Sequence, residues 1–189
     1  MLFPTINRRG WVFTTLLCAI SSNSGVKRPQ YLVGTPFAYT VIIPNPPFKL
    51  TGMVNFLMID DNPIEHIIMQ KMFDKFHLFP NAVHSLDGRL SINLLAEHSS
   101  EADIIPDVIF LDLNMPGYSG WDFLYDFEKL HRQIKKTVDV YIISSSVDPK
   151  DKQLADKYDF VKTFVSKPIK TETLLDLHSL YQSDKRVAS

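Results

Sequence analysis

Cysteine is nearly absent from this sequence, with Cys18 as the single one among 189 residues. One cysteine cannot build an intramolecular disulfide framework, and no cluster of Cys and His has the spacing of a structural zinc site. Such a chain suits a reducing compartment such as the cytoplasm. Long apolar runs are missing as well, because the N-terminal run from Trp11 to Ile20 has ten residues, too few to cross a bilayer. We therefore expect no membrane anchor.

Acidic residues are missing from residues 1–52, which contain five basic side chains, whereas residues 53–189 contain 15 basic and 21 acidic ones. The acidic part repels a phosphate backbone, so we expect no nucleic-acid binding there. The first segment also holds six of the twelve prolines. Arg8 and Arg9 before the apolar run imitate a secretory signal peptide, but no small-residue cleavage site follows. We expect residues 1–52 to be a leader outside the fold, with Met53 as the natural start.

From residue 54 onward, short apolar runs alternate with segments of helical periodicity. Five such β/α units predict a parallel sheet with helices on both faces. The chain is too short for a closed eight-unit barrel, so we predict an α/β fold with an open, doubly wound sheet. The five predicted strands are Val54–Ile59, Ala82–Leu86, Asp107–Leu111, Val138–Ile143 and Phe160–Val165.

The first predicted helix begins after the first strand, where Asn62 can cap it and Pro63 fits its first turn. Its predicted apolar face consists of four residues at helical spacing, Ile64, Ile67, Ile68 and Met72. On the third helix, Asp122 and Asp126 lie four residues apart and are interpreted as solvated charge. The histidines are interpreted as surface or core side chains, because their spacing does not fit a metal site: His66, His77, His84, His98, His131 and His178.

Polar side chains follow four of the five predicted strands at the point where each strand ends. Asp60 and Asp61 follow the first strand, and Asp112 follows the third. The fourth strand ends in Ser144, and Lys167 follows the fifth. In an open parallel sheet these ends meet at one rim, where ligands bind. Three clustered carboxylates repel one another unless a cation intervenes, and their oxygens suit Mg²⁺ better than a soft transition metal.

Asp112 can present its carboxylate outward as a nucleophile, and carboxylates form aspartyl phosphates. Phosphoryl transfer needs positioning and charge neutralisation more than new covalent chemistry. Lys167 supplies a compact positive charge for a phosphoryl oxygen, and the Ser144 hydroxyl can donate a hydrogen bond to the same group. The residues alone therefore predict a magnesium-dependent phosphoryl acceptor.

Four motifs carry these strand ends: Phe56–Asp61 (FLMIDD), Ile109–Pro116 (IFLDLNMP) followed by Gly120, Tyr141–Ser145 (YIISS) and Phe164–Pro168 (FVSKP). Together they resemble the receiver domain of two-component response regulators, over about residues 55–181. The segment with the nucleophile is highly specific to that family. The resemblance implies a flavodoxin-like (βα)5 fold with strand order 2-1-3-4-5, spanning residues 53–183, and residues 184–189 are then a short tail.

The resemblance also implies the metal ligands and the phosphoacceptor. Mg²⁺ would be held by the carboxylates of Asp60, Asp61 and Asp112 and by the backbone carbonyl of Asn114. Asp112 would accept the phosphoryl group. Lys167 would contact that group, and the peptide bond that follows it, to a proline, would be cis.

The same resemblance implies a switch and a timer. Ser144 would move toward the phosphoryl group and Phe164 would change its rotamer in response. In this chain Ser144 replaces the commoner Thr of the family, and Phe164 replaces the commoner Tyr. Asn114 and Ser146 lie where the family tunes the rate of dephosphorylation.

For partners, the resemblance implies a sensor histidine kinase or a histidine phosphotransfer protein as the phosphoryl donor, in the cytoplasm. About eight residues follow Tyr181, too few for an output domain. We therefore expect a single-domain response regulator that contacts a downstream protein target or relays the phosphoryl group. The face made by the fourth helix, the fifth strand and the fifth helix is the expected contact surface, including that of a homodimer.

Three alternatives compete with this prediction. A haloacid-dehalogenase-like phosphatase also uses a strand-end Asp, but that family has a second Asp two residues later, where this chain has Asn114. A binding module that is never phosphorylated would not need the intact set of acidic, hydroxyl and ammonium side chains. A flavin-binding flavodoxin needs a phosphate loop rich in Ser, Thr or Gly after the first strand, which is missing here. We thus expect no enzyme beyond one that catalyses its own phosphorylation and dephosphorylation.

Overall fold

The structure is a computed structural model that describes residues 54–145 and 148–183 in full, and the backbone of residues 3–6, 12–15 and 184–187. In the N-terminal segment, strand β1 (Phe3–Ile6) pairs antiparallel with β2 (Val12–Thr15). The sequence pattern predicts no element there, and the interpretation of residues 1–52 as a leader stays a prediction. Among the described residues, no helix is long and apolar enough to cross a membrane.

The main domain alternates strands and helices, as predicted. Its elements are β3 (Phe56–Ile59), α1 (Pro63–Phe76), β4 (Val83–Ser85), α2 (Gly88–Glu97), β5 (Val108–Asp112), α3 (Gly120–His131), β6 (Asp139–Ser144), α4 (Pro149–Ala155), β7 (Val161–Ser166) and α5 (Thr171–Val187). The five strands form one parallel sheet in the order β4-β3-β5-β6-β7. Counted from β3, this is the order 2-1-3-4-5, which confirms the predicted doubly wound α/β fold.

The sheet separates two apolar cores because alternate strand residues point to opposite faces. On one face, Phe56 and Phe110 of the central strands pack beneath α1 and α5. On the other, Ile109 and Leu111 pack beneath α2, α3 and α4. All five residues of β5 are buried, which explains why this central strand reads as a continuous apolar run.

Helix α1 is capped as predicted. The prediction of which face of this helix is buried is wrong. Asn62 Oδ1 accepts a hydrogen bond from Ile64 N–H, and proline occupies the first turn. The predicted core residues are largely exposed, with 61% for Ile64, 55% for Ile67 and 48% for Ile68, and of the four only Met72 packs partly on the core. The buried face is formed instead by His66, Met69 and Phe73. The sheet selects this stripe because the Phe73 ring meets Phe56 at 5.1 Å and Phe79 at 5.2 Å.

Helix α3 begins in a capping box. The Ser119 hydroxyl accepts from Asp122 N–H, and the Asp122 carboxylate accepts from Ser119 N–H. Asp126 accepts a hydrogen bond from the Tyr118 hydroxyl at 2.9 Å. Asp122 and Asp126, which were interpreted from the sequence as solvated charge, therefore stabilise the start of this helix.

A second polar network lies at the N-terminal ends of the strands. The Tyr181 hydroxyl of α5 donates to the carboxylate of Asp139 and lies 3.1 Å from the Tyr141 hydroxyl. Lys162 Nζ pairs with Asp139 at 3.1 Å. These hydrogen bonds hold helix α5 to the start of β6, at the end of the sheet opposite to the acidic residues.

Candidate functional site

The strand ends bring the predicted acidic residues together. Asp60 follows β3, and Asp112 is the last residue of β5, the neighbouring strand. Carboxylate oxygens of Asp60, Asp61 and Asp112 all lie within 4.8 Å of one another. Asp60 is completely buried and Asp112 is 7% exposed, whereas Asp61 faces solvent. This is a cluster in which two carboxylates have little access to water and one is open to ligands.

Lys167 connects the two buried carboxylates. Its Nζ lies 2.8 Å from Asp60 Oδ2 and 2.8 Å from Asp112 Oδ2. Burial alone would lower the pKa of this ammonium, but its hydrogen bonds to Asp112 and Asp60 and their charges raise the pKa above its ordinary value. Lys167 N–H donates to the Ser144 carbonyl at 2.9 Å, and the bond from Lys167 to Pro168 is cis. The ammonium is thus held charged over the carboxylate that is the predicted nucleophile.

Backbone groups hold the carboxylates in orientation. Asn62 N–H donates to Asp60 Oδ1 at 2.9 Å, and Asn114 N–H donates to Asp112 Oδ1 at 3.1 Å. Asp60 N–H itself donates to the Ser85 carbonyl of β4 at 3.1 Å. Each buried carboxylate therefore has one oxygen held by a backbone amide and the other by Lys167.

Asp61, the exposed carboxyl of the cluster, has a raised pKa. Partial desolvation raises the pKa of the Asp61 carboxyl although the side chain faces solvent, and the neighbouring charge of Asp60 raises it further, with a smaller contribution from Asp112. A divalent cation relieves this repulsion, and a set made only of oxygen ligands suits Mg²⁺. The residues present therefore fit a magnesium site of Asp60, Asp61 and Asp112, with Asn114 beside them.

An open pocket of about 760 Å³ lies over these residues. Its lining residues are Asp61, Asn62, Pro63, Glu65, Asp112, Asn114, Ser145, Lys167 and Pro168. Pro63, Glu65 and Ser145 belong to this site although the sequence pattern did not predict it. Only the position of α1 directly after Asp61 hinted that the first turn of this helix forms a wall of the pocket.

The predicted switch residues lie to one side of the pocket. Ser144 is 2% exposed at the end of β6, so it is Ser145, one residue later, that faces the pocket. Phe164 of β7 pairs with Ile142 of β6 and packs on the core beneath α2, α3 and α4. Ser146, the second residue predicted to tune dephosphorylation, lies outside the described residues.

Comparison with known proteins agrees with this geometry. The response regulator receiver domain model matches residues 56–178, about two thirds of the chain. A two-component response regulator from Cytophaga hutchinsonii is 29% identical, with a TM-score of 0.61, over 69% of this chain and 98% of that one. A response regulator receiver protein from Dyadobacter fermentans is 26% identical, with a TM-score of 0.58, over 68% and 97%. No match was found among curated protein sequences.

A more distant neighbour shows the same fold with a metal ion. The receiver domain of a sensor histidine kinase from Pseudomonas aeruginosa is 14% identical, with a TM-score of 0.53, over 69% of this chain and 98% of that one. That domain has a magnesium ion coordinated in its active site cleft. The sheet order and the acidic rim define this chain as a doubly wound α/β domain with three carboxylates at the ends of its strands. It belongs to the response regulator receiver domains of two-component systems.

Proposed function

We propose that the protein is a phosphorylation-dependent signalling switch in which Asp112 accepts a phosphoryl group beside Mg²⁺. One observation carries this proposal. The Asp112 carboxylate opens into the pocket and is held by Lys167 on one oxygen and by the Asn114 amide on the other, with two further carboxylates next to it. This is the arrangement that an aspartyl nucleophile needs, since phosphoryl transfer depends on positioning and charge neutralisation.

Each residue then has one task in the transfer. An Asp112 oxygen attacks phosphorus, and the bond from phosphorus to the donor breaks as the new O–P bond forms. Lys167 moves its contact from Asp112 Oδ2 to a phosphoryl oxygen, because the carboxylate loses its charge when it becomes an acyl phosphate. When bound by Asp60, Asp61, Asp112 and the Asn114 carbonyl, Mg²⁺ neutralises the charge on the phosphoryl oxygens.

The donor is a sensor histidine kinase or a histidine phosphotransfer protein, and we place its docking surface on α1. Ile64, Ile67 and Ile68 are exposed on this helix, and its first turn supplies Pro63 and Glu65 to the pocket. An apolar stripe that continues from the wall of the pocket lets one partner cover both the stripe and the nucleophile. Such a contact places a donor imidazole over Asp112 and excludes water from the transfer.

The output is a protein contact that responds through Ser144 and Phe164. Phosphorylation draws the Ser144 hydroxyl toward the phosphoryl group, and Phe164 on the neighbouring strand repacks into the space that is left. Dephosphorylation is tuned by Asn114, at the pocket, and by Ser146. We place the contact with a downstream protein or a second copy on the face of α4, β7 and α5, where Leu154 of α4 and Leu180 of α5 are exposed apolar residues. We expect this to take place in the cytoplasm without nucleic acid.

The test is incubation of the full chain with Mg²⁺ and acetyl phosphate, followed by intact mass spectrometry. We expect one added phosphoryl group on the wild type and none on Asp112→Asn. Asp126→Asn is the matched control, since this aspartate lies on α3 outside the pocket and its variant should be labelled like the wild type. A phosphoryl group that persists in Asp112→Asn would reject the proposal.

A further inference from the structure

A histidine pair lies behind the acidic cluster, outside the residues of the proposed phosphoryl transfer. His66 is the one polar residue among the three buried residues of α1, and it is 8% exposed. Its Nε2 lies 2.7 Å from the backbone carbonyl oxygen of Asp60. Its Nδ1 lies 2.9 Å from Nδ1 of His84, which is in β4. The pair therefore joins α1 and β4 directly to the peptide that carries the first carboxylate.

The direction of these hydrogen bonds follows from the carbonyl. The Nδ1 atoms of His66 and His84 lie 2.9 Å apart, so in a pair of neutral rings one of them carries the hydrogen and the other accepts it. A carbonyl oxygen only accepts, and therefore the proton of His66 is on Nε2. His66 Nδ1 then accepts from His84 Nδ1–H. Gln70 Oε1 lies 3.0 Å from His84 Nε2 and Gln70 Nε2 donates to Asp74 Oδ1 at 3.1 Å. This tautomer of His84 therefore requires the Gln70 amide to be turned by 180°, which points its N–H at His84 and gives up its hydrogen bond to Asp74.

The consequence for Asp60 is that its backbone is held on both sides. Its N–H donates to the Ser85 carbonyl, and its carbonyl accepts from His66. Strand β4 supplies both Ser85 and His84, so one edge strand supports both bonds. Because Asp60 is completely buried, water cannot replace the imidazole on this carbonyl. The orientation of the peptide between Asp60 and Asp61 thus depends on His66.

We propose that His66 is a positioning residue for the divalent cation, which sets the Asp60–Asp61 peptide through its Nε2–H while His84 holds its tautomer. The inference rests on the magnesium site of the proposed function. Groups that orient a metal ligand typically change metal affinity about 10–100-fold when they are removed. We expect the lower end of this range here, because His66 acts on the backbone of Asp60 and does not touch its carboxylate.

The experiment compares two amides at position 66 in the full chain, with Mn²⁺ as the probe and free Mn²⁺ measured by electron paramagnetic resonance. His66→Gln puts an amide N–H where Nε2 stands, so we expect Mn²⁺ affinity close to that of the wild type. His66→Asn puts its amide near the position of Nδ1, out of reach of Asp60, and we expect affinity about tenfold weaker. Phe73→Leu, on the same buried face of α1, is the control for general loosening and should bind Mn²⁺ like the wild type.

Equal Mn²⁺ affinities for the Gln and Asn variants would overturn the inference, and so would a Phe73→Leu variant that loses as much affinity as His66→Asn. If His66→Asn does not fold, His66→Leu is measured in its place, and wild-type affinity in that variant would also overturn it. The phosphorylation test on the wild type is a separate measurement. Absence of labelling with the expected order of Mn²⁺ affinities would reject the phosphoryl transfer and leave the role of His66 intact.

Discussion

A Cβ atom on Gly120 would lie closer than 3.0 Å to the carbonyl oxygen of Asp112 and 2.7 Å from the Cα of Leu113. Both are backbone atoms, and Gly120 N–H also donates to the Leu113 carbonyl at 3.0 Å. Gly120, the first residue of α3, thus packs directly against the backbone of the segment that contains Asp112. A side chain at position 120 has to push that segment away.

We therefore expect Gly120→Ala to lower the free energy of unfolding by about 1–3 kcal/mol, the usual cost of overpacking, and to slow labelling by acetyl phosphate. Urea denaturation and the rate of labelling measure the two effects. Gly88→Ala is the matched control, because its Cβ would meet the side-chain atoms Met115 Cε at 3.0 Å and Tyr118 Cδ1 at 3.1 Å, which can move. If Gly88→Ala proves as harmful as Gly120→Ala, the backbone contact is not the cause.

Because Lys167 bonds to Asp60 and Asp112, two of the proposed magnesium ligands, we expect it to compete with a divalent cation for these carboxylates. We expect Lys167→Met to destabilise the metal-free protein by about 3 kcal/mol, since it leaves Asp60 and Asp112 close together without a counter-charge. Added Mg²⁺ should then raise the melting temperature of this variant more than that of the wild type. Thermal unfolding across a Mg²⁺ titration measures both. An equal or smaller response in Lys167→Met would contradict the competition.

Asp61→Asn tests the repulsion in the cluster. The raised pKa of Asp61 means that the fold favours its protonated form, so the ionised form destabilises the metal-free protein above that pKa. We expect the neutral amide to raise the melting temperature in EDTA at pH 7. The gain should vanish as the pH falls through the pKa of Asp61, because the wild-type carboxyl then protonates. The same variant should lose most of the stabilisation by Mg²⁺, and a variant that responds to Mg²⁺ like the wild type would remove Asp61 from the site.

The exposed isoleucines of α1 allow the donor surface to be separated from the chemistry. We expect Ile67→Glu to reduce phosphoryl transfer from a histidine phosphotransfer protein about tenfold or more, as for a contact worth about 1.4 kcal/mol. Labelling by acetyl phosphate should be unchanged, because this small donor needs no docking surface. Leu180→Glu, an exposed apolar residue of α5, is the control and should accept phosphoryl groups normally. A loss with both donors would mean that Ile67→Glu damages the pocket itself.

The strand ends could be predicted from the sequence because buried parallel strands are continuous apolar runs and the polar residue that follows each run marks its end. This was enough to bring Asp60, Asp61, Asp112 and Lys167 to one rim. The two contacts of Lys167 could not be predicted, because this residue follows β7, which is adjacent to neither β3 nor β5, and the sequence does not say how far its side chain reaches along the rim. Three consecutive serines also follow Ile143, and the pattern does not say which of them faces the pocket.

The predicted buried face of α1 is wrong because hydropathy alone cannot distinguish the two apolar stripes of this helix. The helix carries two apolar stripes, one with Ile64 and Ile68 and one with Met69 and Phe73. Periodicity scores the isoleucine stripe higher because the other stripe contains His66, which counts as polar. In the fold, the aromatic contact of Phe73 and the bond of His66 to Asp60 decide which stripe faces the sheet.

The hydrogen bond from Tyr181 to Asp139 fixes α5 to the sheet at one point along the helix. The helix begins four residues after Lys167, and Tyr181 lies ten residues further along, about 15 Å at the usual helical rise. Because Tyr181 is held to Asp139 of β6, we expect a shift of Lys167 toward a phosphoryl group to tilt the helix and not to slide it along its axis. We expect the movement to be largest at the first turn and smallest at Tyr181, so a partner in contact with the first turn of α5 reads more of it than one in contact only with Leu180.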